Sequence, residues 1–263
     1  MAGLDPAIQS QGDNVHNLAL DGRLKGGHDV GGMVAQVVTD DVDEDDDHER
    51  ELRSYGRRRG RKPSARQAAL LRDVLPRVAV DPQALPDAVQ TWLEIGFGGG
   101  EHLLEQARRN PQALLVGCEP YEDGVIKVLT AIEDDGLKNI RVHMGDVRDV
   151  LRQLAPGSLD RAFVLFPDPW PKRKHRKRRL VNSSLLDLLA RVLKPNAELR
   201  IATDIGDYAR TMLEAFQLEP RFLWQAEGTD DWRVQPADWV ETKYESKAAE
   251  AGRRRYYFRF LRA

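Results

Sequence analysis

The stretch Leu93-Glu94-Ile95-Gly96-Phe97-Gly98-Gly99-Gly100 decides the fold. A short apolar run ends in four glycines within five residues, and an amphipathic stretch over 101–109 follows. Glycine lets a chain leaving a parallel strand turn sharply and lets a ligand approach its main chain. The same pattern recurs downstream. Strands are expected at 91–95, 113–118, 140–144, 161–166 and 198–203, with helices at 101–109, 122–134, 147–154, 181–193 and 207–217. Such alternation predicts βαβ units, a parallel sheet and right-handed crossovers. The last forty residues break the alternation. Both 222–226 and 256–261 read as strands, and the segment between them reads as a loop rich in Trp and acid. That suggests a final pair with an antiparallel edge strand. Upstream, Ser64 reads as the N-cap of a helix carrying Ala68, Leu71, Val74 and Leu75.

Charge divides the 263 residues unevenly. Residues 1–51 hold 13 Asp/Glu and 3 Lys/Arg, a net of −10, while the rest holds 37 basic and 29 acidic residues, a net of +8. The first segment has no apolar periodicity and no aromatic, and ends in the acidic block 40–49. It reads as a disordered acidic tail, since it cannot bury enough apolar area to offset its ordering entropy. A second reading has it fold back on the basic domain as a polyanion mimic. A basic arm with Arg53, Arg57, Arg58, Arg59, Arg61 and Lys62 opens the second domain, 52–263. That domain's charge favours a nucleic-acid partner. No apolar run reaches the length of a membrane span, and nothing reads as a secretory signal, so a cytoplasmic protein is expected. The lone Cys118 excludes an internal disulfide, and the six histidines have no metal spacing, so no metal is expected.

Three acids are expected at the ends of three consecutive strands: Glu94, Glu119 and Asp146. Glu119, 19 residues after Gly100, can accept both hydroxyls of a ribose. Asp146 can accept from an adenine amino group. A dinucleotide and S-adenosylmethionine compete for such a site. Glu94 beside the turn would repel a pyrophosphate but suits an ammonium group, which favours the sulfonium methyl donor, with Gly96 and Gly98 against it.

The fourth strand ends in Phe166-Pro167-Asp168-Pro169-Trp170-Pro171. Prolines on both sides of Asp168 stiffen the backbone and aim its carboxylate at the sheet edge where ligands bind. Trp170 offers a stacking face. Seven of the next eight residues, Lys172 to Arg179, are Lys or Arg, and His175 is the eighth. With no interleaved acid, this run and Arg253-Arg254-Arg255 suit a phosphate backbone.

Taken in order, L-E-I-G-F-G-G-G, G-C-E-P-Y, G-D, F-P-D-P-W-P-K-R-K-H-R-K-R-R-L, A-T-D and T-K-Y-E closely resemble the bacterial tRNA (guanine-N7-)-methyltransferase family over about residues 52–263. The resemblance implies a Rossmann-like methyltransferase fold: a mostly parallel, seven-stranded sheet with an antiparallel last strand. It implies methyl transfer from S-adenosylmethionine to guanine 46 in the variable loop of tRNA, with no obligate protein partner. Carried over by position, Glu94, Glu119 and Asp146 match donor-binding acids, and Asp168 matches the catalytic acid beside the donor. Lys172, Asp204, Thr242, Lys243, Tyr244 and Glu245 match substrate-binding positions. Lys174, His175, Arg176, Lys177, Arg178 and Arg179 match an RNA-contacting segment. Cys118 departs from the expected aliphatic residue and reads as a small core residue. An RNA-binding protein that has lost catalysis and a methyltransferase for another nucleobase nitrogen are the alternatives. Product identification separates them.

Overall fold

A computed structural model describes residue 60 and residues 62–263. The tail at 1–51 and the arm as far as Arg61, Gly60 apart, lie outside the described residues.

Seven strands form one sheet: β1 (Gln90–Ile95), β2 (Ala113–Cys118), β3 (Ile140–His143), β4 (Leu159–Leu165), β5 (Leu193–Thr203), β6 (Phe222–Trp224) and β7 (Tyr256–Arg262). Their order is β3-β2-β1-β4-β5-β7-β6. Strands β1 to β5 are mutually parallel. The order reverses between β1 and β4, and crevices for ligands open at the carboxyl ends beside such a switch. Helices α2 (Glu101–Arg109), α3 (Glu122–Asp135), α4 (Val147–Gln153), α5 (Ser183–Val192) and α6 (Gly206–Gln217) make the crossovers.

Two apolar cores cover the two faces. Trp92, Leu115 and Phe163 pack with Leu103 of α2 and Val128 and Leu129 of α3. Leu93, Val116 and Val164 pack with α4, α5 and α6 through Leu151, Leu189 and Met212. Alternation along β1 sends Leu93 and Ile95 to the second core and Trp92 to the first. Glu94, two residues on from Trp92, therefore faces α2.

Helix α1 is composite: Ala65–Ala69, a wider π turn over Leu70–Val74, and Leu75–Val78. Ser64 caps it in a reciprocal box with Gln67. Pro76 has no N–H to return to the preceding turn, which is where the helix widens.

Two expectations need correction. The antiparallel strand is β7, and it is not at the edge. It pairs with β5 on one side and β6 on the other. The α6 crossover leaves a strand-wide gap that the returning chain fills, so Tyr257, Phe258 and Phe260 are all buried. The segment between β6 and β7 is not simply loop: it holds α7 (Asp230–Arg233) and α8 (Lys243–Glu250). Helix α8 buries only Glu245 and Ala248, so no apolar periodicity announces it. Among the described residues, no helix is long and apolar enough to cross a membrane.

Candidate active site

A cleft of about 430 Å³ opens where β1, β2, β3 and β4 end. Its floor is apolar, with Ile95, Cys118, Val147 and Leu165. The glycine turn forms one wall. Gly96 has φ +72°, and a Cβ there would meet no atom within 4 Å, so the missing side chain leaves open space beside the main chain. A Cβ on Gly124, at the start of α3, would lie 2.1 Å from the Gly98 carbonyl oxygen, so glycine there lets α3 close onto the turn. Cys118 is buried, and burial pushes its thiol well above the usual range, so it is no nucleophile.

Three carboxylates line the cleft: Glu119, Asp146 and Asp168. Glu119 accepts from the Gly98 amide at 2.8 Å and the Tyr121 amide at 2.9 Å, tying the end of β2 to the glycine turn. Burial raises its pKa, the two amides offset part of that, and Asp168 and Glu94 add to it. Asp146 caps α4 through the Arg148 amide, 2.9 Å, and pairs with the Arg148 guanidinium. Burial opposes its ionisation, but Arg148 outweighs burial and holds the carboxyl below its usual range. Asp168 has no hydrogen-bond or ion-pair partner among the described residues. Its carboxylate reaches solvent, yet the cleft walls strip water from it and raise its pKa.

Glu94 lies outside the cleft lining. It is 3% exposed and bonds His102 Nδ1 of α2 at 2.7 Å, while His102 Nε2 meets Gln106 at 3.2 Å. By sequence alone His102 reads as an ordinary helix residue. Its place in the first turn of α2, just beyond a strand acid, is the signal that could have paired the two.

Around Asp168 the backbone is contorted. Phe166 and Trp170 have φ of 50° and 42°, a region rarely used outside glycine. The basic run forms a 3₁₀ turn over Arg173–Arg178 against this loop. His175 meets the Trp170 ring edge-on at 5.9 Å, and Arg178 lies over the same ring at 5.1 Å. Lys172, Lys174 and Lys177 face solvent. Arg176 pairs with Asp207 at 2.7 Å. Desolvation, then Arg178, Lys174 and Lys172, keep His175 below the usual imidazole range. Arg179 differs from the rest of the run: it is 3% exposed and points inward.

Of the remaining candidates, Tyr244 belongs to the cleft lining, and Lys243, Asp204, Thr242 and Glu245 do not. The Tyr244 ring lies against Gly98. Burial raises its phenol pKa, followed by the charges of Glu119, Asp168 and Glu101. Lys243 is exposed. Asp204, just past the end of β5, pairs with Arg253 at 2.5 Å. Thr242 caps α8 through the Glu245 amide, 3.2 Å. Glu245 is fully buried and accepts from Trp239 Nε1 at 2.6 Å and from the Tyr257 hydroxyl. Thr-x-x-Glu is also the spelling of a helix cap, a signal the sequence carried. Among the described residues, no group of three or more His, Cys, Asp or Glu could hold a metal ion.

A family model described as "Putative methyltransferase" matches residues 88–258. The tRNA (guanine-N(7)-)-methyltransferase of Rhodospirillum rubrum is 47% identical over 225 residues, 81% of this chain and 88% of that protein. The enzyme of the same name from Caulobacter vibrioides is 46% identical over 202 residues, 74% of this chain and 89% of that one. The Ruegeria pomeroyi enzyme is 50% identical over 188 residues, covering 71% and 78%. Among solved structures, the 16S rRNA methyltransferase KamB aligns with 67% of this chain and 89% of its own, at 18% identity and a TM-score of 0.49.

Proposed function

The chain belongs to the tRNA (guanine-N7-)-methyltransferase family, and from that premise we propose that it methylates N7 of guanine 46 in the variable loop of tRNA, using S-adenosylmethionine in the cytoplasm. Residues 52–263 are the catalytic domain with its basic arm, and 1–51 an acidic tail. The observation that carries the reading is Asp168. Of the three carboxylates in the cleft it alone is unpartnered among the described residues, and the basic run follows it directly.

The cleft suits such a donor. Space beside Gly96 admits a ligand close to the main chain. Glu119 keeps a lone pair on each oxygen for ribose hydroxyls, and Asp146 borders an apolar floor suited to an adenine. Gly98 and Tyr244 close the side toward α8. Glu94 supports the turn from behind through His102. When bound, S-adenosylmethionine supplies a sulfonium-linked methyl group for direct transfer.

Guanine N7 is an acceptor with a lone pair at neutral pH. No base has to take a proton from it, so the chain needs no Ser–His or Cys–His pair. Alignment can contribute roughly 7–11 kcal/mol. Asp168 accepts from guanine N1–H and the 2-amino group, selecting guanine over adenine and stabilising the positive charge that the ring gains. Asp204, outside the cleft lining and paired with Arg253, is the second candidate acid for the base. The target base leaves its stack to enter the cleft, and Trp170 and Tyr244 offer it ring faces.

The test is chemical. Purified chain, labelled donor and unmodified tRNA should give 7-methylguanosine on digestion, mapped to the variable loop. A methyl group on another atom, or none, overturns the reading.

The exposed lysines of the 3₁₀ turn carry the tRNA backbone. Replacing Lys174 and Lys177 together by Ala should weaken tRNA binding and flatten its log–log salt slope by about 1.5. Filter binding across a salt series reads both, and an unchanged slope would place the turn in bulk water.

A further inference from the structure

The geometry points to Arg179 as a positioning residue for Asp168 and not an RNA contact, although it closes the cationic run. This deepens the methyltransferase reading and rests on it. Arg179 is the buried member of the run, with 3% of its surface exposed. Arg179 borders the cleft, but with its donors engaged inside the fold it leaves almost no surface for a phosphate.

Its donors are engaged from inside. Nε donates to the Pro169 carbonyl at 3.0 Å, and Nη1 donates to Thr211 Oγ1 at 2.6 Å. Nη2 donates to the Asp207 carboxylate. The guanidinium lies over the Tyr208 ring, 4.7 Å from its centre, and that ring is fully buried. Tyr208 in turn accepts from the Val181 amide at 3.1 Å, two residues beyond Arg179.

The bond to Pro169 gives this hub its consequence. Pro169 follows Asp168, and its carbonyl belongs to the peptide leading into Trp170, one of the two left-handed residues of the turn. Left-handed backbone at a non-glycine persists only where the surroundings over-determine it. Arg179 supplies such a constraint, anchoring the turn to α6 through Asp207 and Thr211. Lysine cannot replace it, because a single ammonium lacks the planar fork that reaches Pro169, Thr211 and Asp207 together. The same anchor joins the RNA-facing turn to the catalytic loop: Arg176 shares Asp207 with Arg179.

Two variants test the assignment. Arg179→Lys should lower kcat at saturating tRNA by about tenfold to a hundredfold, the scale of a displaced catalytic group. Its tRNA affinity and salt slope should equal the wild type's, unlike the lysine variants of the exposed turn. Thr211→Val removes one anchor with little change of volume, and should lower kcat several-fold with KM for tRNA unmoved. It also decides the matter if Arg179→Lys fails to fold. Loss of affinity and of salt slope at unchanged kcat would make Arg179 an RNA contact and overturn the inference. Wild-type kcat in Thr211→Val would overturn it as well. A wild-type chain inactive on tRNA would instead overturn the functional reading beneath it.

Discussion

Asp168→Ala is expected to lower methyl transfer about a thousandfold, the upper range for loss of one preorganised electrostatic partner, while donor and tRNA binding fall far less. Isothermal titration with each ligand and single-turnover assays separate the two effects. Wild-type turnover would remove Asp168 from the mechanism. Its stability effect should have the opposite sign. Burial raises the folded pKa of Asp168 above its unfolded value, so between those two values the native state binds more protons than the unfolded one. Stability from this group is therefore present at lower pH and is lost as pH rises through the raised pKa. At neutral pH the ionised carboxylate opposes folding, so Asp168→Ala should melt no lower than wild type. The same shift moves the acid limb of kcat/KM, which reports the free enzyme, above the ordinary carboxylate range, and that limb should vanish from the residual activity of Asp168→Asn.

Glu245→Ala should produce the largest loss of stability. The carboxylate is fully buried and accepts from Trp239 and Tyr257. Its removal leaves an indole N–H and a phenol O–H without their acceptor, at a combined cost of about 3 kcal/mol. For a domain of this size that lowers Tm by roughly 6–12 °C. Activity falls with it, because Glu245 fixes α8, which carries Tyr244 against Gly98. Glu245→Gln, which keeps one acceptor oxygen, should lie between. Were Glu245 a direct substrate contact, Glu245→Ala would weaken tRNA binding and leave the melt unchanged. Thermal melts and binding assays on the two variants distinguish the roles.

The resemblance places Thr242 to Glu245 in substrate binding as a block, and the folded chain divides that block. Tyr244 and Lys243 look outward, while Thr242 caps the helix and Glu245 anchors it. The basic run divides in the same way, with Lys174 and Lys177 outside and Arg179 inside. Composition could not make either distinction, because burial of a charged residue depends on partners distant in sequence. For Arg179 these are Asp207 and Thr211, and for Glu245 Tyr257.

Local rules were enough for the core of the fold. Alternating apolar runs and helical faces, punctuated by glycine after β1, specify the five parallel strands, because each βαβ unit is encoded by short-range periodicity. Glu119 and Asp146 were legible for the same reason: each lies just past the end of its strand, at the edge of the sheet where the cleft opens. The turn of Glu94 toward His102 spans only eight residues, so its partner stood in the local sequence, and the packing of α2 on the sheet selected it. The position of β7 between β5 and β6 was decided only by long-range pairing. It depends on which surfaces meet after collapse, and no window of sequence contains that information.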